Sequence, residues 1–75
     1  MSRLHPAHSR EVIRFLESLG FVRVRQKGNH KFFRHQDGRT ATVPEYEGED
    51  LGRGILAKIL RDAGVRPAEF LAWLS

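Results

Sequence analysis

Residues 27–39 read KGNHKFFRHQDGR. Two turn signals enclose a short run: Gly28-Asn29 before it and Asp37-Gly38 after it, pairs suited to the tight corners of hairpins. Between them residues 30–36, HKFFRHQ, read as a strand. Working outward, residues 21–26, FVRVRQ, alternate apolar and basic, which predicts a strand with one buried face. Residues 39–43, RTATV, are rich in β-branched side chains, and Pro44 ends that strand because it has no N–H for a ladder. Three consecutive strands joined by short turns predict an antiparallel meander.

Helical patterns flank the meander. In residues 9–19, SREVIRFLESL, the side chains of Val12, Ile13, Leu16 and Leu19 recur at helical spacing, with Phe15 beside them. Ser9 suits the N-cap, Glu11 the first turn, and Gly20 the stop. Residues 45–50 form an acidic loop, from which Glu49 or Asp50 is expected to cap a helix over about 51–63. Its apolar stripe is Leu51, Ile55, Ile59 and Leu60, helped by Leu56 and Ala63, and Gly64 ends it. Pro67 suits the first turn of a last short helix, with Val65 expected to pack on Phe70 across its start. Phe70, Leu71 and Leu74 would dock on the core, and Trp73 reads as packing rather than as a base-stacking platform. The order is α-β-β-β-α-α, an α+β fold. A chain of 75 residues can cover only one face of a three-stranded sheet well, so the helices are expected on the same face. The chain reads as one domain over residues 1–75, with residues 1–8 as a flexible N-terminal segment.

Alternation then sorts the central strand. His30, Phe32 and Arg34 share one face, and Lys31, Phe33 and His35 share the other. One phenylalanine on each face leaves both registers open. Phe33 inward, with Lys31 and His35 reaching past the strand's ends, is the preferred assignment. It leaves an open row of histidine, aromatic ring and guanidinium, the combination that single-stranded RNA surfaces use for stacking and phosphate neutralisation.

Charge points the same way. Net charge is +4. Residues 21–40 carry Arg23, Arg25, Lys27, Lys31, Arg34 and Arg39 against Asp37 alone, whereas residues 44–50 carry Glu45, Glu47, Glu49 and Asp50. A concentrated basic patch attracts polyanions, because phosphate neutralisation releases counterions. The acidic segment beside it either keeps RNA off the far side or simply caps the helix. With no cysteine there is no disulfide framework and no thiolate metal site. His5 and His8 stand three apart beside Pro6 and make a weak metal pair, so no metal or other cofactor is expected. No window reaches the roughly 18 apolar residues of a membrane span, and the first ten residues lack a signal-peptide core, so a cytoplasmic protein is expected.

Several short motifs now fall in order: KGNHKFFRHQDGR at 27–39, TVP at 42–44 and DLGRGILAKILRDAG at 50–64, with LGF at 19–21 after the first helix. Together they resemble the HicA toxins, the small mRNA-interferase halves of HicA–HicB toxin–antitoxin pairs of bacteria and archaea. The likeness runs over about residues 9–74 without an evident gap. It implies a fold like the double-stranded-RNA-binding domain, a single-stranded mRNA substrate and a HicB-type antitoxin partner, with no direct DNA binding by this chain alone. It also implies metal-independent endoribonuclease activity. The family's Gly-Ser-His turn, whose histidine is catalytic, matches Gly28, Asn29 and His30. Its Pro-x-His after the third strand reads Pro44-Glu45-Tyr46, so the second histidine is a tyrosine here. Its Gly-Thr-Leu reads Gly54-Ile55-Leu56, taken as packing.

Histidine suits such chemistry because its unperturbed pKa of about 6.5 lies near working pH. His30 is therefore the expected acid/base group. Lys27, Gly28, Asn29, Lys31, Phe32, Arg34, Arg23, Arg25 and Arg39 are the candidates for RNA and phosphate binding, and Tyr46 and His35 are possible auxiliaries. The alternative is a non-catalytic RNA-binding module of the same fold, which needs the basic face but not His30. A helix-turn-helix in the last two helices is disfavoured, because Pro67-Ala68-Glu69-Phe70 is a poor start for reading bases.

Overall fold

A computed structural model describes residues 7–46 and 50–75. In chain order the elements are β1 (Ala7–His8), α1 (Ser9–Ser18), β2 (Val22–Lys27), β3 (His30–Arg34), β4 (Thr40–Pro44), β5 (Asp50–Leu51), α2 (Arg53–Asp62) and α3 (Pro67–Leu74). The expected meander is present as an antiparallel sheet in the order β2-β3-β4. Two features lie outside the expected order: β1 and β5 pair with each other in a two-stranded ladder, Ala7 opposite Leu51 and His8 opposite Asp50. Residues 1–6 of the expected flexible segment, His5 among them, lie outside the described residues, as do 47–49 of the acidic loop. Ala7, at the end of that segment, is buried in the core.

The core forms on one face of the sheet. Phe33 is fully buried between Ala41 and Val43 of β4 and the helices, with Val12, Phe15 and Leu16 from α1, Leu56, Ile59 and Leu60 from α2, and Phe70 from α3. Phe15 meets Phe70 edge-on at 5.2 Å, which ties the first helix to the last. Trp73 packs beside Phe15 and stacks on Phe70 while staying 40% exposed.

Both helix stops use the same device. Gly20 takes φ +100 and Gly64 takes φ +75, in the left-handed region that an L side chain enters only with strain. The chain then folds back, so that Phe21 N–H donates to the Leu16 carbonyl at 3.0 Å and Val65 N–H to the Leu60 carbonyl at 2.9 Å.

Four expectations need correction. Strand β2 does not bury a face: Val22 is 62% exposed and Val24 is 60% exposed. The helices lie over β4 and β3, leaving β2 as an uncovered edge, and a bulge between Arg23 and Arg25 breaks its alternation. Such bulges and basic side chains discourage edge-to-edge pairing with another chain. The helix caps also differ. His8, not Ser9, caps α1, its N–H donating to Glu11 Oε1 at 3.0 Å, and Ser9 is buried as the first helical residue. Gly52, not Asp50, caps α2, because Asp50 is held in β5; Glu49 lies outside the described residues. Finally, Ile55 and Leu74 are exposed on α2 and α3 rather than packed in the core.

Candidate active site

The register settles the faces. Phe33 pairs with Arg23 and Ala41 on the helix side, so His30, Phe32 and Arg34 face away from the core. Across from them on that open face stand Lys27 opposite His30, Arg25 opposite Phe32 and Val22 opposite Arg34. The exposed Arg25 guanidinium lies 5.0 Å from the centre of the half-buried Phe32 ring, a cation–π pair that brings an aromatic surface and positive charge together.

His30 opens β3 directly after a two-residue loop in which Gly28 takes φ +58. Its ring is exposed, and no hydrogen bond or ion pair engages it among the described residues. A side chain so placed has both ring nitrogens available to a ligand. The turn itself is firmly held: Glu45 N–H donates to the Asn29 carbonyl at 2.7 Å, extending the β3–β4 ladder one step past Pro44. The next residue, Tyr46, is 40% exposed and lines a groove together with Asn29.

The other sequence-derived candidates divide. Arg25, Lys27, Phe32 and Arg34 join His30 on the open face. Lys31 lies on the helix side, mostly covered, and its ammonium is paired with the Glu45 carboxylate. Arg23 also faces the helix side and, with Ile13, Glu17 and Lys31, lines a small groove along α1. Arg39 is committed elsewhere. Its guanidinium donates to Asp37 Oδ2 at 2.8 Å and to the Ala63 carbonyl, and it lies 5.2 Å from the centre of the Phe21 ring.

His35 is equally committed. Its Nδ1 accepts the Asp37 N–H at 3.1 Å, which leaves the proton on Nε2 to donate to the Leu19 carbonyl at 3.0 Å. The ring also meets Phe21 edge-on at 5.2 Å. Asp37 completes this cluster, accepting the Arg39 N–H at 3.0 Å. That bond, followed by the Arg39 side chain and the His35 ring, holds its carboxyl below the usual range.

Sequence reading missed one feature. A groove of about 750 Å³ runs beside the Gly28-Asn29 turn, between the start of α1 and the chain after β4. Arg10 and Arg14 line it from α1, and Asn29 and Tyr46 line it from the sheet end. The signal was an i, i+4 arginine pair opposite the apolar stripe of α1, which reads by itself as a solvated helix face. Among the described residues no group of three or more His, Asp or Glu side chains is placed to hold a metal ion.

With this geometry in hand, a comparison with family models matches residues 9–65 to the HicA toxin of bacterial toxin–antitoxin systems. The chain belongs to the HicA toxin family. The match spans α1, the whole three-stranded sheet and α2. Membership makes it the toxin component of a toxin–antitoxin system, with an antitoxin as partner. No curated protein matches the chain. Among the described residues no helix of this HicA-family chain is long and apolar enough to cross a membrane.

Proposed function

We propose that this toxin is a metal-independent endoribonuclease that cuts single-stranded mRNA, with His30 as its acid/base group. The observation that carries the reading is the contrast in commitment: His30 stands exposed and unengaged among the described residues, at the edge of an open face bearing Arg25, Lys27, Phe32 and Arg34.

The reaction follows from RNA's own nucleophile. The ribose 2′-oxygen attacks phosphorus, the bond from phosphorus to the 5′-oxygen breaks, and a 2′,3′-cyclic phosphate and a 5′-hydroxyl end result. His30 takes the 2′-hydroxyl proton or returns one to the leaving 5′-oxygen. A positioned acid or base of this kind is typically worth about 10²–10⁴-fold. Arg34 and Lys27 supply positive charge for the phosphorane, arginine being the better bidentate partner. Phe32, backed by Arg25, offers a stacking surface for a base. Lys31 and Arg39 leave the RNA-binding set and His35 leaves the auxiliaries, because each is engaged by another part of the fold.

The antitoxin is of the HicB type and inhibits by covering His30 with acidic groups against the basic face, replacing RNA phosphate by carboxylate. Reversal of Arg34 to Glu is expected to weaken that complex; unchanged affinity would rule out occlusion by charge.

The test of activity is a cleavage assay on a mixed-sequence single-stranded RNA in EDTA, with His30→Ala alongside and its fold checked by circular dichroism. Cutting by wild type and not by the folded variant is the expected result. Equal cutting by both removes His30 from the chemistry. Binding without cutting by both makes the protein a non-catalytic RNA-binding module.

A further inference from the structure

We propose that the groove between the start of α1 and the β2–β3 turn is a second RNA-binding subsite. It would hold a backbone phosphate on Arg10 and Arg14 and a base on Tyr46, in the stretch of RNA next to the cut. The proposal rests on the ribonuclease reading above and adds to it a surface on the other side of the turn.

Three features argue for it. Arg10 and Arg14 lie one helical turn apart, both exposed, and neither meets a carboxylate among the described residues. The two acids that share the groove are already engaged: Glu11 accepts the His8 N–H, and Glu45 is paired with Lys31. Lys31 offsets the Glu45 charge while Glu11 keeps its own, so the two guanidiniums leave the groove net positive, and paired forks of this kind suit phosphate. Tyr46 adds an exposed aromatic face, and the residue before it bonds the Asn29 carbonyl at the turn. Continuity supplies the last feature. Asn29 lines the groove and His30, the next residue, begins the open face. A strand of RNA crossing the Gly28-Asn29 turn would pass from the Phe32 platform, over His30, into the groove. An aromatic face beside two guanidiniums favours RNA over an acidic protein segment, which has no base to stack.

The experiment is a binding titration by fluorescence anisotropy at several salt concentrations. The probe is a 2′-O-methyl single-stranded RNA of about 12 nucleotides, within the usual range of such sites and lacking the hydroxyl needed for cutting. Arg10→Ala/Arg14→Ala is compared with Arg53→Ala/Arg61→Ala, which removes the same charge from α2. The groove variant is expected to bind about tenfold more weakly and to lose about 0.7 from the salt slope, the value for one phosphate on a single strand. Tyr46→Ala is expected to weaken binding about fivefold or more, with Tyr46→Phe close to wild type.

A folded groove variant with the wild-type slope, or with no greater loss than the α2 control, overturns the subsite. So does a groove variant that keeps RNA affinity and loses affinity for the antitoxin. Cleavage of unmodified RNA that depends on His30 shows in each case that the ribonuclease reading stands by itself. No binding of the probe by wild type overturns the subsite, and the cleavage assay then decides the reading separately.

Discussion

The two corners of the central strand look alike in sequence and do opposite things. Each joins a glycine-bearing turn to a histidine: Gly28-Asn29 precedes His30, and Asp37-Gly38 follows His35. At the second corner the side chains of His35, Asp37 and Arg39 are all engaged. His35 bonds the last carbonyl of α1's cap, Arg39 bonds the Ala63 carbonyl at the end of α2, and Asp37 holds both side chains in place. Two helix C-termini, which expose unpaired carbonyls and partial negative charge, are closed by side chains from one hairpin. The first corner has a rigid backbone, but its histidine ring and the lysine across from it remain open. A small protein has few polar groups, and the contrast shows where they are assigned: stability at one end of the sheet, availability at the other.

The sharpest way to break this comparison is to remove each histidine in turn. His30→Ala is expected to cut cleavage by about 10²–10⁴-fold while leaving the melting temperature close to wild type. His35→Ala is expected to leave cleavage per folded molecule nearly intact and to cost about 1–3 kcal/mol, measured by urea unfolding. If the two results were exchanged, the corners would have been read the wrong way round.

A steric test of the closed corner comes next. At Gly20 an added Cβ would sit 3.1 Å from His35 Nε2, on a backbone already at φ +100. Gly20→Ala is expected to destabilise by about 1–2 kcal/mol from left-handed strain, and more if the ring must give up the Leu19 carbonyl. Gly28→Ala has the same sign of φ but open space around it, so it is expected to cost less by the same unfolding measurement.

Arg39→Ala should follow, at about 1–2 kcal/mol, since it removes a carbonyl bond, an aromatic contact and the partner of Asp37 together. RNA affinity should change little. A large loss of RNA binding in a folded Arg39→Ala protein would return that residue to the RNA surface.

The smallest effect is a pH dependence. The Asp37 carboxyl titrates lower in the folded chain than in the unfolded one, mainly because it accepts the Arg39 N–H. Its contribution is therefore fully present above the unfolded value, about 3.9, and is lost as pH falls through the lower folded value. Asp37→Asn should flatten that part of the acid limb, with a constant offset from wild type above about pH 5. That offset should shrink as pH falls below about 4, and one that stayed constant would assign the acid limb to other carboxylates.

Much of this molecule could be read before its structure was known, for physical reasons. Gly20 and Gly64 mark their helix ends because few other residues tolerate the required φ. The meander follows from turn chemistry that acts within a few residues. The Phe32–Phe33 choice was not local: neither ring is the better core residue, and only pairing of Phe33 with Ala41 settles the face. The exposure of β2 escaped for a similar reason, since alternation shows which residues share a face but not whether a helix covers it. Two-residue strands such as β1 and β5 have no period to detect. At the site, the motif around His30 pointed to that residue, whereas composition gave no sign that His35, five residues on, is structural. Arg10 and Arg14 were invisible as a pair with Tyr46, because the groove that joins them exists only after folding.

The pairing of Ala7 with Leu51 also sets a clock. At roughly 5–20 residues per second of synthesis, Ala7 leaves the ribosome seconds before the strand it must join. Until then a buried core residue has nowhere to go, and the start of α1, with its two arginines, is tethered at one end only. A ribosome-bound fragment that already carries the β2–β3 turn would present His30 without the fixed groove beside it. Completion of that small ladder is thus a later assembly step than the sheet, reached only after the turn and all three strands of the meander have been made.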